Sequence, residues 1–175
     1  MKANTNVILS VMNVLFWIIF IGLCINTGTL LTSFFVSIFI NPEAADRLWQ
    51  APKLGELYQY SFWHYSRIVS LMISMSALKA FMAYLVVKIF MQFDFSAPFQ
   101  PEISATVARI SHLALATGIL AILANAYGDW LTKRGMPIED NWGSAELLFF
   151  AGILYILSEI FKKGTSIQSE NELTI

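Results

Sequence analysis

The sequence predicts an all-α membrane protein, a four-helix transmembrane bundle with an amphipathic outer loop. Three observations carry this reading. Residues 3–42 contain no charged side chain, whereas a helix needs only about 20 apolar residues to cross a hydrocarbon core. The 175-residue chain is 57% hydrophobic and only 13% charged, about half the charged share of a soluble domain. Three further apolar stretches follow, separated by polar, aromatic and proline-bearing connections. Together they describe one membrane domain over residues 1–175, with little room for a separate soluble one.

The first span covers residues 7–40. It is read as an uncleaved anchor, because its apolar run outlasts a signal-peptide h-region and no small-x-small site ends it. As continuous helix it reaches about 50 Å, against a hydrocarbon core of about 30 Å. It must therefore tilt, bend or project. Asn26-Thr27-Gly28 is the expected bend, since glycine weakens a helix and Asn and Thr can bond the backbone. Residues 30–40 are then expected to pack on protein or lie in the interface, and Pro42 stops the helix. Cys24, the only cysteine, lies inside this span. That excludes a disulfide framework and suggests a buried structural thiol.

The connection that follows mixes charges with Trp49, Tyr58, Tyr60, Phe62, Trp63 and Tyr65. Such a mixture suits a short amphipathic helix at the lipid headgroups or, equally, a folded cap over the bundle. The second span covers residues 66–90 and the third 104–126. Pro98 and Pro101 break the helix between them, and Ser104 is placed to cap the third. Along the third span, Ser104, Ala108, Ser111, Ala114, Gly118 and Ala121 recur at three- and four-residue spacing, which sets them on one face. Small residues let helices approach closely in lipid, so this helix is expected at the centre. The same face could also serve a homo-oligomer. The fourth span covers residues 145–161, Gly164 is read as its C-cap, and residues 162–175 as a short polar tail.

Four spans put both termini on one side. Basic residues tie between the two sides, five against five: Lys2, Lys88, Arg109, Lys162 and Lys163 against Arg47, Lys53, Arg67, Lys133 and Arg134. The terminal-side basics hug helix ends, where they weigh most in setting orientation. The two longer connections carry six acids and four of the five tryptophans. Both termini are therefore expected in the cytoplasm and the chain in the cytoplasmic membrane.

Lys79 is the most unusual residue, because the second span is otherwise uncharged from Ile68 to Val87. A lysine at mid-membrane costs about 2.5–3.5 kcal/mol on insertion scales, so it is expected to face protein or water and to find a partner. Glu159, near the end of the fourth span, is the candidate, reached by snorkelling of the lysine stem. His112, Arg109 and Asn13 are placed at a similar depth. These five residues are read as a polar cluster that either holds the helices in register or forms a relay or ligand site.

Other chemistry is weakly represented. Two histidines and one cysteine without ligand spacing argue against a transition-metal site. His64 is read as an interface residue, and Asn26 and Asn125 as partners for backbone groups. No phosphate loop, HExxH or GxSxG is present, no cofactor is expected, and a net charge of -1 argues against direct nucleic acid binding.

The C-terminal stretch SEIFKKGTSIQSENELTI is more distinctive than its composition. It resembles the end of a bacterial membrane-protein family catalogued as domain of unknown function 2975. The elements that carry the resemblance are Pro98-Phe99, Ile110-Ser111, Glu159, Ile160-Phe161, Lys163-Gly164 and the closing Glu170-Asn171-Glu172-Leu173-Thr174-Ile175. The long outer loop departs from the family pattern. The family resembles a set of four-span proteins without an established activity, often found beside small helix-turn-helix regulators of the Cro/C1 type. The resemblance thus implies a membrane partner of such a regulator, with the closing ENELTI as its natural contact; the alternative is a plain solvated helix end.

Three functions follow as expectations. The first is an interaction or sensor protein whose outer aromatic loop (Trp49, Tyr58, Tyr60, Trp63) meets lipid or a ligand while the tail meets a partner. The second is a small oligomeric transporter or channel subunit with Lys79 and Glu159 lining a polar path. A membrane enzyme is the least expected, because Glu159 and His112 lack a nucleophile, metal set or cofactor loop.

Overall fold

The computed structural model describes residues 2–41, 54–93, 99–136, 138 and 142–172. They form five helices: α1 (Lys2–Phe39), α2 (Gly55–Tyr60), α3 (Phe62–Gln92), α4 (Pro101–Thr132) and α5 (Ser144–Glu172). No strand occurs among the described residues. α1, α3, α4 and α5 are each long and apolar enough to cross a membrane. In lipid every backbone N–H and C=O must be bonded within the protein, and a helix does this inside one segment. The predicted all-α, four-span class is the class observed.

The long helices pack in chain order. α1 lies on α3, α3 on α4, and α4 on α5, while α1 is packed against neither α4 nor α5. The bundle is thus an open one, with α3 and α4 inside and α1 and α5 flanking them.

Two hydrophobic clusters divide it along its length. The cluster on the side away from the termini, where α3 begins and α4 ends, joins Leu30 of α1, Leu54 and Leu57 beside and within α2, Tyr65, Ile68 and Met72 of α3, Ala121 and Ala124 of α4, and Trp142. The cluster on the side of the termini contains Met82 and Leu85 of α3, Ile110 and Ala114 of α4, and Ala151 of α5. No residue of α1 belongs to it.

Several local expectations change in three dimensions. α1 is helical without interruption for 38 residues, about 57 Å; Asn26-Thr27-Gly28 does not break it. Thr27 Oγ1 donates to Leu23 O at 2.8 Å inside an intact helix. Its far end packs on protein: Ser37 is buried and its hydroxyl lies 2.7 Å from Tyr65 OH. Cys24 is exposed on the outside of α1 rather than buried, because it sits off the α3-facing side.

Ser104 is no cap either. α4 starts at Pro101, whose missing N–H suits a first helical turn, and Ser104 Oγ instead reaches Ser158 O across to α5 at 3.5 Å. Nor does α5 end at Gly164; it continues to Glu172.

The small face of α4 is used within the chain. Ser104, Ser111, Ala114, Gly118 and Ala121 are all buried. Ser111 Oγ donates to Ala151 O at 3.1 Å, an exchange possible only at close interaxial approach. At Gly118 a Cβ would stand 2.7 Å from Leu148 Cδ2 and 3.4 Å from Leu148 N.

Gly118→Val is therefore expected to wedge α5 away from α4 and to cost about 1–3 kcal/mol. Gly152→Ala on α5, where a Cβ meets nothing within 4 Å, should be neutral or slightly stabilising. Thermal unfolding of both variants in detergent checks the pair.

Candidate functional site

Ion-pair geometry separates the residues read as one polar cluster. Among the described residues no ion pair joins Lys79, Arg109, His112 or Glu159 to another group. Lys79 lies on α3 and Glu159 on α5, two helices that are not packed together. Their depths differ as well. Met82 and Ala151 share the terminal-side cluster; Lys79 lies nearly one turn farther from the termini than Met82, and Glu159 two turns nearer to them than Ala151. The separation along the bundle is on the order of 15 Å, more than a snorkelling stem closes. Asn13 lies far along α1, near the level where Phe16 meets Phe90, and its Oδ1 is buried without a partner.

Two of the five do share a site. Glu159 and His112 line a groove of about 440 Å³ between α4 and α5, with Ser104, Ala108, Ser158 and Lys162. Both are exposed at its surface. Arg109 is exposed on the flank of α4 and does not line the groove. Among the described residues no cluster of three or more His, Cys, Asp and Glu side chains is placed to hold a metal ion.

Mid-span polarity is instead satisfied between α1 and α3. Thr27 and Ser76 hydroxyls lie 2.7 Å apart, and Asn26 Nδ2 donates to Ser76 Oγ at 3.5 Å. Asn26 thus bonds a side chain rather than the backbone. Asn125 meets the backbone as expected: its Oδ1 accepts from Trp142 N–H at 3.3 Å while its Nδ2 donates to Ser144 Oγ.

The outer loop behaves as a folded cap where it is described. Leu54 and Leu57 are only 1% and 3% exposed, so α2 turns its apolar side onto α3. Tyr58 packs edge-on to Tyr65 at 5.1 Å between centroids. Tyr60 and Trp63 remain exposed, Trp63 at 71%, and Trp49 lies outside the described residues.

A stack of rings that sequence reading left scattered forms beside this cap. His64 stands against Tyr60 at 6.0 Å and Trp130 at 5.5 Å, and its Nδ1 is 2.6 Å from Tyr127 OH. Tyr127 stacks on Trp130 at 5.9 Å, and the Arg134 guanidinium lies over the Trp130 ring, 3.9 Å from its centroid. The i, i+3 spacing of Tyr127 and Trp130 was the available signal; their meeting with His64 required α3 and α4 to be packed.

At the opposite end the α3–α4 connection is docked on α5. The Phe99 ring lies where a Cβ of Gly164 would be. Phe99 also packs on Phe161 at 5.8 Å, and Thr165 Oγ1 donates to Phe99 O at 3.3 Å. Gly164 therefore serves close approach rather than helix termination. Of the closing residues, 170–172 form the last described turn of α5, and Leu173, Thr174 and Ile175 lie outside the described residues.

Four membrane-length helices with polar caps at both ends define a multi-pass membrane protein. The chain matches, over residues 3–175, the family model described as "Protein of unknown function (DUF2975)". The protein belongs to that family, in agreement with the resemblance seen in its closing residues. No curated protein and no solved structure matches it. Among the elements that carry the resemblance, Phe99, Phe161 and Gly164 form one contact, and Ser111 lies separately in the α4–α5 seam.

Gly164→Val should displace Phe99 and destabilise by about 1–3 kcal/mol. Ser76→Ala, which removes one interhelical hydroxyl, should cost only about 0.6 kcal/mol, the usual worth of such a bond in lipid. Unfolding by graded SDS addition in mixed micelles measures both.

Proposed function

We propose that the protein is an integral membrane interaction or sensor protein whose α5 extension presents a docking element to a small cytoplasmic partner. One observation carries this reading. α5 does not stop where its apolar stretch stops; braced by Phe99 at Gly164, it runs on as helix to Glu172. A helix held in register past the lipid offers a partner an ordered surface at low entropic cost. The family resemblance points to a small helix-turn-helix regulator as that partner, which would be anchored or restrained at the membrane. On this reading the membrane is the cytoplasmic membrane of a bacterium, both termini lie in the cytoplasm, and the chain acts by binding rather than by catalysis. The outer stack of Tyr60, His64, Tyr127, Trp130 and Arg134 would face lipid headgroups or an external ligand on the opposite side.

The transporter alternative required Lys79 and Glu159 along one path. Their different depths and unpacked helices remove its support.

Deleting residues 169–175 should abolish co-purification of a small helix-turn-helix protein with the tagged full chain, without altering membrane insertion. Co-purification that survives the deletion sinks the proposal. Orientation has its own check. An epitope at the C-terminus should be protected from antibody in intact cells, whereas Gly135→Cys in a Cys24→Ser background should react with an impermeant maleimide.

A further inference from the structure

The groove between α4 and α5 exists because its floor is made of small residues. Ser104 and Ser158 are buried and Ala108 is half-buried between the two helices. They leave a space of about 440 Å³, within the roughly 300–1,000 Å³ of small-ligand sites. The rim carries His112 on α4 and Glu159 and Lys162 on α5. All three are exposed, so the groove opens sideways from the bundle. Among the described residues none of the three makes a hydrogen bond or an ion pair.

The chemistry of the groove changes with depth. α4 and α5 run antiparallel, with Ser104 facing Ser158 and Ser111 facing Ala151. On that register Glu159 stands beside Ser104, Lys162 about 6 Å nearer the termini than Ser158, and His112 about 12 Å deeper than Ser104. α5 turns from apolar to basic at Lys162-Lys163, and such basic residues mark the membrane boundary. Side chains tilt towards the N-terminus of their own helix. His112 therefore leans towards the termini and Glu159 away from them, each towards the other along the groove. Seven residues beyond Ala108 and His112, and so on the same face, stand Leu115 and Ile119, both exposed. From the boundary inward the surface reads cation, carboxylate, imidazole, aliphatic.

We propose that this groove binds a phosphatidylethanolamine molecule from the leaflet on the side of the termini. Lys162 pairs with the phosphate, and Glu159 accepts from the N–H groups of the ethanolamine ammonium. His112, which carries a ring N–H in either tautomer, donates to a glycerol ester carbonyl. An acyl chain then runs along Leu115 and Ile119. A phospholipid presents its groups in this same order from the surface inward. Charge complementarity selects the headgroup. A purely anionic headgroup leaves Glu159 facing a like charge, and a choline ammonium has no N–H to give it. The groove ends at Thr165, short of residues 169–175, so this site and the α5 docking element can fail separately.

Native mass spectrometry of the full chain in detergent tests the site, with phosphatidylethanolamine, phosphatidylglycerol or phosphatidylcholine of identical acyl chains titrated in turn. Phosphatidylethanolamine should bind at least about tenfold more tightly than either other lipid, the weight of one hydrogen bond to a charged group. Glu159→Gln should erase that preference, and Glu159→Lys should transfer it to phosphatidylglycerol. Glu102→Gln, at an exposed acid of the same bundle end that does not line the groove, should leave it intact. Ala105→Phe, at an exposed lining position, fills the groove without touching a charge. It should reduce phosphatidylethanolamine binding to the level of phosphatidylcholine without lowering the unfolding temperature. Equal binding of the three lipids, a preference for phosphatidylglycerol, or a phosphatidylethanolamine preference that survives Glu159→Gln or Ala105→Phe overturns the proposal. So does soluble phosphoethanolamine that competes as well as the intact lipid.

Discussion

Lipid as solvent is the constraint on which the architecture rests. It offers no hydrogen bonds, so the backbone closes on itself as helix and the few polar side chains turn inward to one another. The seams show this directly: Thr27 with Ser76 and Ser37 with Tyr65 between α1 and α3, Ser111 with Ala151 between α4 and α5. Because lipid tails are as apolar as the helices, association depends on close packing, and close packing depends on small residues. That is why α4, whose small face is the longest, holds two neighbours, and why α1, rich in Ile, Val and Leu, is largely exposed.

The same logic explains the asymmetry along the bundle. On the side away from the termini the aromatic cap and α2 add apolar mass, and one cluster reaches from α1 to Trp142. On the terminal side α1 carries side chains such as Val11, Val14 and Ile18 that stay exposed and contribute nothing to the cluster of α3, α4 and α5.

Much of this was legible in the residues. The uncharged run of residues 3–42, the proline-marked connections and the small-residue stripe gave the span count and the central helix, and the closing motif pointed to the family. The site was less legible. Grouping Lys79 with Glu159 assumed that helices of one bundle are all mutual neighbours; packing in chain order keeps α3 and α5 apart. Reading Gly164 as a cap used a sound local rule, yet the Phe99 ring claims the space of its missing side chain. His64 carried no signal of meeting Tyr127, which is 63 positions away and reaches it only through α3–α4 packing.

Sequence by itself determined the solvent, the secondary structure and the number of crossings, because hydrophobicity and backbone bonding act over one segment at a time. Tertiary structure decided which helices touch, at what relative depth, and which side chains are left without a partner. Those outcomes depend on interhelical distance and register, and both are set by a few small residues and one docked ring whose effect no single segment contains.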